Sequence, residues 1–292
     1  MNTEGGNATS TGRITPPLKW HVDGGKFYLA KDIVTMMPKH VHYVEPFAGG
    51  LSVLFAKDPE GVSEVVNDLN RELTNFWRVL QVPQFFDQFF RIAQATPFSE
   101  AEYQWACKQP DRVDDNPPLA AHAFFIRCRQ SLAGRMQGFT ALSRTRTRSG
   151  MNEQASAWIG AVDGLPAVHA RLRRVAVLNR NALDVIRGQD GPKTCFYLDP
   201  PYLHETRATA GEYAHEMTDE QHRELLRVLE QVEGSFLLSG YRSGLYDKFA
   251  ALNGWHRTDF ELPNNSAGGE TKKRMVECVW TNFEPGTDSD LK

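Results

Sequence analysis

The stretch Thr194-Cys195-Phe196-Tyr197-Leu198-Asp199-Pro200-Pro201-Tyr202 decides how the chain folds. An apolar, aromatic-rich run ends abruptly in an acid, two prolines and a tyrosine. Such a run suits a strand buried on both faces of a parallel sheet. Pro200 and Pro201 lack a backbone N–H and cannot continue a central strand. The chain therefore turns out at the strand's carboxyl end, the edge at which open α/β sheets bind ligands. Asp199 and Tyr202 are delivered there on a stiff loop.

These residue types suit one chemistry. An exocyclic amine on a nucleobase is a poor nucleophile, because its lone pair is delocalised into the ring. Two acceptors on its N–H bonds would localise that lone pair. The Asp199 carboxylate and the Pro200 carbonyl are two such acceptors, and Tyr202 offers a flat face on which an extruded base can stack. The same letters also fit a plain Pro-Pro turn with Asp199 as a cap, so the rest of the chain must decide.

Upstream, Val41-His42-Tyr43-Val44-Glu45-Pro46-Phe47-Ala48-Gly49-Gly50-Leu51-Ser52-Val53-Leu54-Phe55 reads as strand, glycine turn and helix. This is the first βα unit of a nucleotide-type sheet, with Gly49 and Gly50 allowing a tight turn and close approach of a cofactor. Pro46 and Phe47 suit an apolar cofactor edge rather than a pyrophosphate. A second strand, Glu64-Val65-Val66-Asn67, ends in Asp68, about 20 residues beyond the glycine turn, where an acid commonly meets ribose hydroxyls. Asp68 or Asn70 also suits the N-cap of a helix over 71–80, whose Leu73, Phe76, Trp77 and Leu80 share a face. Nearer the start, Gly24-Gly25-Lys26 precedes the helical spacing of Leu29, Ile33 and Val34. Lys26 there can hold a carboxylate, or be a solvated lysine on a loop.

Downstream of residue 174, strand–helix alternation resumes. Val175–Leu178 is a strand, and Asn181–Arg187 a short helix ended by Gly188. Thr218-Asp219-Glu220-Gln221 is a capping box ahead of a helix with His222, Leu225, Leu226, Leu229 and Val232 on one face. Ser235–Tyr241 is another strand, and Arg274–Phe283 a late one.

Between these halves, residues 71–170 are mostly helical in pattern and punctuated by proline. The whole chain has a formal charge of −3, unpromising for a nucleic-acid binder until it is divided. Residues 71–175 hold 14 Lys+Arg against 9 Asp+Glu, and the remainder 19 against 27. The middle is therefore a basic module in an acidic body. No acid occurs between Asp115 and Glu153, a span that carries Arg127, Arg129, Arg135, Arg144, Arg146 and Arg148. In Ser143-Arg144-Thr145-Arg146-Thr147-Arg148 an extended backbone would place the three arginines on one side, suited to phosphates and base edges. A solvated loop is the plainer reading.

Composition excludes other classes. No run of 18 apolar residues exists, so no membrane span is expected. The polar N-terminus, MNTEGGNATSTGR, has no apolar core and reads as a frayed tail over 1–15, not a signal peptide. The cysteines Cys107, Cys128, Cys195 and Cys278 form no C-x-x-C pair and read as reduced cytosolic thiols. The histidines have no metal-ligand spacing, and no metal is expected.

Together the pieces resemble the Dam-like (D12 class) adenine-N6 DNA methyltransferases, especially phage and prophage members. The resemblance runs from about residue 16 to 283. It is carried by Lys19-Trp20 with Gly24-Gly25-Lys26, Glu45–Gly50, Asn67-Asp68-Leu69-Asn70, Asp199-Pro200-Pro201-Tyr202 and Glu277–Phe283. It implies an α/β fold, a seven-stranded Rossmann-like S-adenosylmethionine-dependent methyltransferase sheet with an inserted, mainly helical target-recognition domain. The catalytic domain would be 16–70 with 171–292, and the DNA-binding domain 71–170. S-adenosylmethionine would meet Trp20, Lys26, Phe47, Gly49, Asp68, Asn181 and Asp199. Asp199, Pro200 and Tyr202 would be catalytic, and the six arginines of the acid-free span would contact double-stranded DNA. Two departures stand out: the segment between Trp20 and Lys26 is two residues longer than the family pattern, and Asn181 stands where the family usually has Asp. An Asn amide oxygen still accepts hydrogen bonds. The implied activity is methyl transfer to N6 of a flipped adenine in cytoplasmic DNA, as an orphan enzyme or a restriction–modification member. Cytosine-N4 methylation is the alternative within enzymes, and a catalytically inactive DNA-binding protein the alternative outside them. A cytosine-C5 enzyme needs a nucleophilic cysteine on such a loop, whereas Cys195 precedes Asp199 inside the strand.

Overall fold

A computed structural model describes residues 14–18, 25–110, 112–140, 142–203, 216–262 and 275–286. The described chain opens with α1 (Gly25–Met36), β1 (His42–Glu45), α2 (Ser52–Ala56) and β2 (Ser63–Asn67). Next come α3 (Arg71–Gln81), α4 (Pro83–Ala95), α5 (Glu100–Cys107) and α6 (Pro117–Gln130), a small hairpin of β3 (Thr147–Arg148) and β4 (Met151–Asn152), then α7 (Glu153–Asp163) and α8 (Leu165–Leu172). Alternation returns with β5 (Val175–Leu178), α9 (Ala182–Gln189), β6 (Thr194–Leu198), α10 (Asp219–Leu229), β7 (Ser235–Tyr241), α11 (Gly244–Asn253), β8 (His256–Leu262) and β9 (Met275–Thr281).

Seven strands form one sheet in the order β5-β2-β1-β6-β7-β9-β8. Pairing is parallel from β5 to β7, while β9 runs antiparallel between β7 and β8. The chain leaves β1 toward β2 on one side and returns to β6 on the other. The strand order thus reverses between β1 and β6, which opens a crevice at their carboxyl ends.

The two faces of the sheet follow the period of two in its strands. Tyr43, Val66, Cys195, Tyr197, Leu237 and Val279 join one apolar cluster with α1–α8. Val44, Val65, Phe196, Leu198, Phe236, Leu238 and Trp280 join the other with α9–α11. Both faces of β6 are covered and all of its residues are buried, which is why it reads as an unbroken apolar run. The first cluster is continuous from the sheet into the helices after β2, through Phe55, Phe76, Trp77, Phe89 and Phe125.

Two local expectations change. Helix α9 runs through Gly188 to Gln189, because the Thr194 hydroxyl donates to the Gln189 carbonyl (3.0 Å) and supplies the terminus that a glycine cap would otherwise provide. The 143–148 segment is not extended throughout. The Ser143 hydroxyl accepts from Thr145 N and Arg146 N, bending the chain before the two-residue strand β3. The hairpin turns through Ser149 and Gly150 with φ of 52° and 73°, the twist-matched form for a two-residue loop. Helix α11 and strand β8 carry no clear sequence pattern; β8 is the sheet's edge and its charged residues face solvent.

Candidate active site

The glycine turn after β1 is braced from β2. Ala48 N donates to the Asn67 carbonyl (2.8 Å). The buried Asn67 amide donates to the Pro46 and Arg180 carbonyls (both 3.0 Å), and its oxygen accepts from Arg180 N (2.9 Å). One side chain thus ties together the loops leaving β1, β2 and β5. Gly49 adopts φ 47°, the left-handed conformation that glycine takes at little cost. Its N–H donates to Asp68 Oδ2 (3.1 Å) and its carbonyl accepts from the Trp77 indole (3.3 Å). Asp68 Oδ1 accepts from Asn70 N (2.9 Å). Asn70, not Asp68, caps α3, accepting from Glu72 N and Leu73 N. Asp68 and Gly49 therefore meet at the crevice, with the half-buried Phe47 beside them. Asn181 stands farther round on the loop before α9, exposed, where its side chain accepts from Leu183 N (2.9 Å) as the N-cap.

On the opposite wall, β6 delivers Asp199 as the sequence predicts. Lys26, at the start of α1, lies 3.2 Å from Asp199 Oδ1 and donates to Glu277 Oε1. Tyr202 donates its hydroxyl to the same Glu277 oxygen (2.7 Å). Its ring packs edge-on to Tyr241 at 4.5 Å and lies under the Lys26 ammonium at 5.2 Å. Burial pulls the Lys26 ammonium down, but Asp199 and Glu277 outweigh it, and Lys26 is held above the ordinary lysine value. Asp199 is pushed above the usual carboxylate range by desolvation and by Glu277, against the pull of Lys26. Its side chain remains 26% exposed, open to a ligand in the crevice. Trp20 lies outside the described residues.

Two residues quoted in the sequence motifs take on site positions to which no role was assigned. Glu277, on β9, is almost wholly buried between Lys26 and Tyr202. Its signal was an acid in an alternating, otherwise inward-facing set with Val279 and Thr281. Glu45, at the end of β1, accepts from the Tyr43 hydroxyl (2.7 Å), and burial raises its carboxyl to about 8. Cys195 is buried within β6 and its thiol is pushed up to about 12 by desolvation, far from a nucleophile's range. Among the described residues no cluster of His, Cys, Asp and Glu is arranged to hold a metal ion.

The six arginines of the acid-free span divide. Arg135, Arg144, Arg146 and Arg148 are exposed, and Arg146 reaches Glu153 at 3.8 Å. Arg127 and Arg129 turn inward from the last turn of α6. Arg127 pairs with Glu72 of α3. Arg129 donates to the Ala157 carbonyl of α7 (2.7 Å), and burial lowers its guanidinium to about 10, still charged at neutral pH. Helical spacing and tertiary packing, invisible in a count of charges, send these two cations into the protein.

Residues 23–260 match a family model described as D12 class N6 adenine-specific DNA methyltransferase. No curated protein matches the chain.

Proposed function

From the premise that the chain belongs to the D12 class of N6 adenine-specific DNA methyltransferases, we propose that it takes its methyl group from S-adenosylmethionine and that the crevice between β1 and β6 is where it does so. The observation that carries this reading is the convergence of Gly49, Asp68, Lys26 and Asp199 on one sheet edge from three separate loops and the start of α1. The residues fit the cofactor's chemistry. Asp68 offers a carboxylate to ribose hydroxyls, Phe47 an apolar wall, and Lys26 a cation to a carboxylate. Gly49 lets the ligand approach backbone, and Asn181 offers an amide oxygen to an adenine amine. Trp20 is a further candidate from the sequence. When bound, the cofactor supplies an electrophilic methyl on a sulfonium.

The chain's own groups act on the acceptor. An adenine flipped from duplex DNA would place N6 between the Asp199 carboxylate and the Pro200 carbonyl, with Tyr202 at its ring. Accepting both N–H bonds concentrates the lone pair on N6 and aims it at the methyl. Catalysis is positioning plus electrostatics in a partly desolvated crevice. We assign DNA recognition to the helical insertion over 71–170 and phosphate or base contacts to Arg135, Arg144, Arg146 and Arg148. Arg127 and Arg129 are assigned to holding that insertion together. With DNA as substrate, the place of action is the cytoplasm of a bacterial or phage-infected cell. No helix among the described residues is long and apolar enough to cross a membrane.

The test is transfer of labelled methyl from S-adenosylmethionine to duplex DNA, followed by nucleoside analysis and by sequencing for modified adenines. N6-methyladenine at one recurring sequence is the expected product. Label on cytosine, or none with intact cofactor binding, would overturn the reading.

A further inference from the structure

We propose that Glu277 is a positioning residue of the methyl-transfer site, drawing the Lys26 ammonium and the Tyr202 hydroxyl toward itself so that Asp199 keeps acceptor capacity for the target amine. The proposal rests on the reading of Asp199 as that acceptor.

The strand pattern makes Glu277 conspicuous. Met275, Glu277, Val279 and Thr281 share one side of β9, and Val279 lies in the apolar cluster on that face. The register pairs Glu277 with Tyr241 at the carboxyl end of β7. A carboxylate there is 2% exposed. Burying an acid costs several kcal/mol unless charges and hydrogen bonds compensate it. Among the described residues the compensation comes from Lys26 and the Tyr202 hydroxyl, both on Glu277 Oε1.

The proton count explains what this does. A tyrosine hydroxyl has one proton to donate. That of Tyr202 lies within reach of Asp199 and 2.7 Å from Glu277 Oε1, so Glu277 competes with Asp199 for it. An ammonium has three protons and Lys26 divides them between two carboxylates. Without Glu277, both donors would fall on Asp199 and occupy the lone pairs that the incoming N–H requires. Glu277 also fixes the Tyr202 ring through its hydroxyl, against Tyr241. Among the described residues, the charged and titratable groups around Asp199 are Lys26 from α1, Glu277 from β9, Glu45 from β1 and Tyr246 from α11, with Tyr197 and Tyr202 from its own segment. Of these, Glu277 is the second buried carboxylate in direct contact with Lys26.

The experiment compares Glu277→Gln, Glu277→Asp and Asp199→Ala in the full chain, measuring methyl transfer to duplex DNA across pH together with thermal melting. Glu277→Gln keeps an acceptor oxygen and removes the charge. It is expected to melt within a few degrees of wild type and to lose about 10–100-fold in kcat, with KM for DNA little changed. Its acidic kcat limb should move to lower pH, because removing a neighbouring negative charge makes Asp199 easier to ionise. Glu277→Asp should recover part of the rate. A merely structural glutamate would lower the melting temperature and leave the acidic limb where it was, and that result, or an unchanged kcat, overturns the proposal. Asp199→Ala separates the two readings. If it is inactive while Glu277→Gln is unaffected, only the role of Glu277 falls; if it is active, the acceptor role of Asp199 falls and takes that of Glu277 with it.

Discussion

The sheet carries a buried charge cluster at each end, and the two are built in opposite proportion. At the amino end of β2, Glu64 is fully buried and accepts two bonds from Arg171 of α8 (2.6 and 2.7 Å) and one from Lys57 (3.2 Å). Arg171 also donates to the Leu54 carbonyl (3.2 Å). Two cations saturate one carboxylate, and the cluster ties β2, α2 and the end of the helical insertion together. At the carboxyl end, two carboxylates, Asp199 and Glu277, share one ammonium. The first arrangement leaves Glu64 no capacity for a ligand. The second leaves Asp199 under-neutralised, partly exposed and aimed at a crevice. Buried charge at one end holds the fold; at the other, under the proposed mechanism, it is kept available for chemistry.

That contrast can be broken from either side. Removing Arg171 as Arg171→Ala strands a buried carboxylate and should destabilise the protein by about 3–5 kcal/mol. Denaturant unfolding would measure this, and a loss below about 1 kcal/mol would place the pair among weak surface bridges. Asp199→Ala should do the reverse. Methyl transfer falls by the equivalent of about 3 kcal/mol or more, by comparison with deletion of an oxyanion donor, while melting and DNA binding hold. Retention of more than about a tenth of turnover would remove Asp199 from the mechanism.

Asp68→Ala sharpens the cofactor half of the crevice, with a loss of roughly 1–3 kcal/mol in S-adenosylmethionine affinity by calorimetry. Unchanged affinity with lowered melting would leave Asp68 as the brace of the glycine turn alone. A pH test addresses Glu45, whose carboxyl is near 8 in the fold against 4.5 ordinarily. Between those values the folded state keeps a proton that the unfolded chain has released, so stability falls as pH rises through that window. Glu45→Gln should flatten the decline in melting temperature between pH 5 and pH 8. The smallest effect belongs to the exposed arginines. Alanine at Arg135, Arg144, Arg146 or Arg148 should lower the slope of log K against log salt by about 0.9 for each lost phosphate contact, whereas Arg129→Ala should cost stability and leave that slope unchanged.

Several parts of this site were legible without coordinates because they are local. The apolar run of β6 broken by Pro200 and Pro201 dictates a strand end. The glycine turn and its acid dictate a βα unit with Asp68 at the second strand's tip, and Thr218 with Gln221 form the capping box expected of them. The arginine span was legible as charge but not as geometry. Arg127 and Arg129 sit two apart on a helix, and only the packing of α6 against α3 and α7 turns both inward. Strand β8 was silent, since an edge strand with a solvated face needs no apolar run.

The sequence by itself determined where the chain turns and hence that Asp199, Tyr202, Gly49 and Asp68 reach the carboxyl edge of the sheet. Those features follow from φ restriction, strand period and capping, which act within a few residues. Tertiary structure alone decided that Glu277 and Lys26, 251 residues apart, meet over Asp199. It also decided that Glu64 is neutralised and Asp199 is not. Such balances depend on which distant elements a burial-driven core brings together, and on how many donors each buried carboxylate then finds.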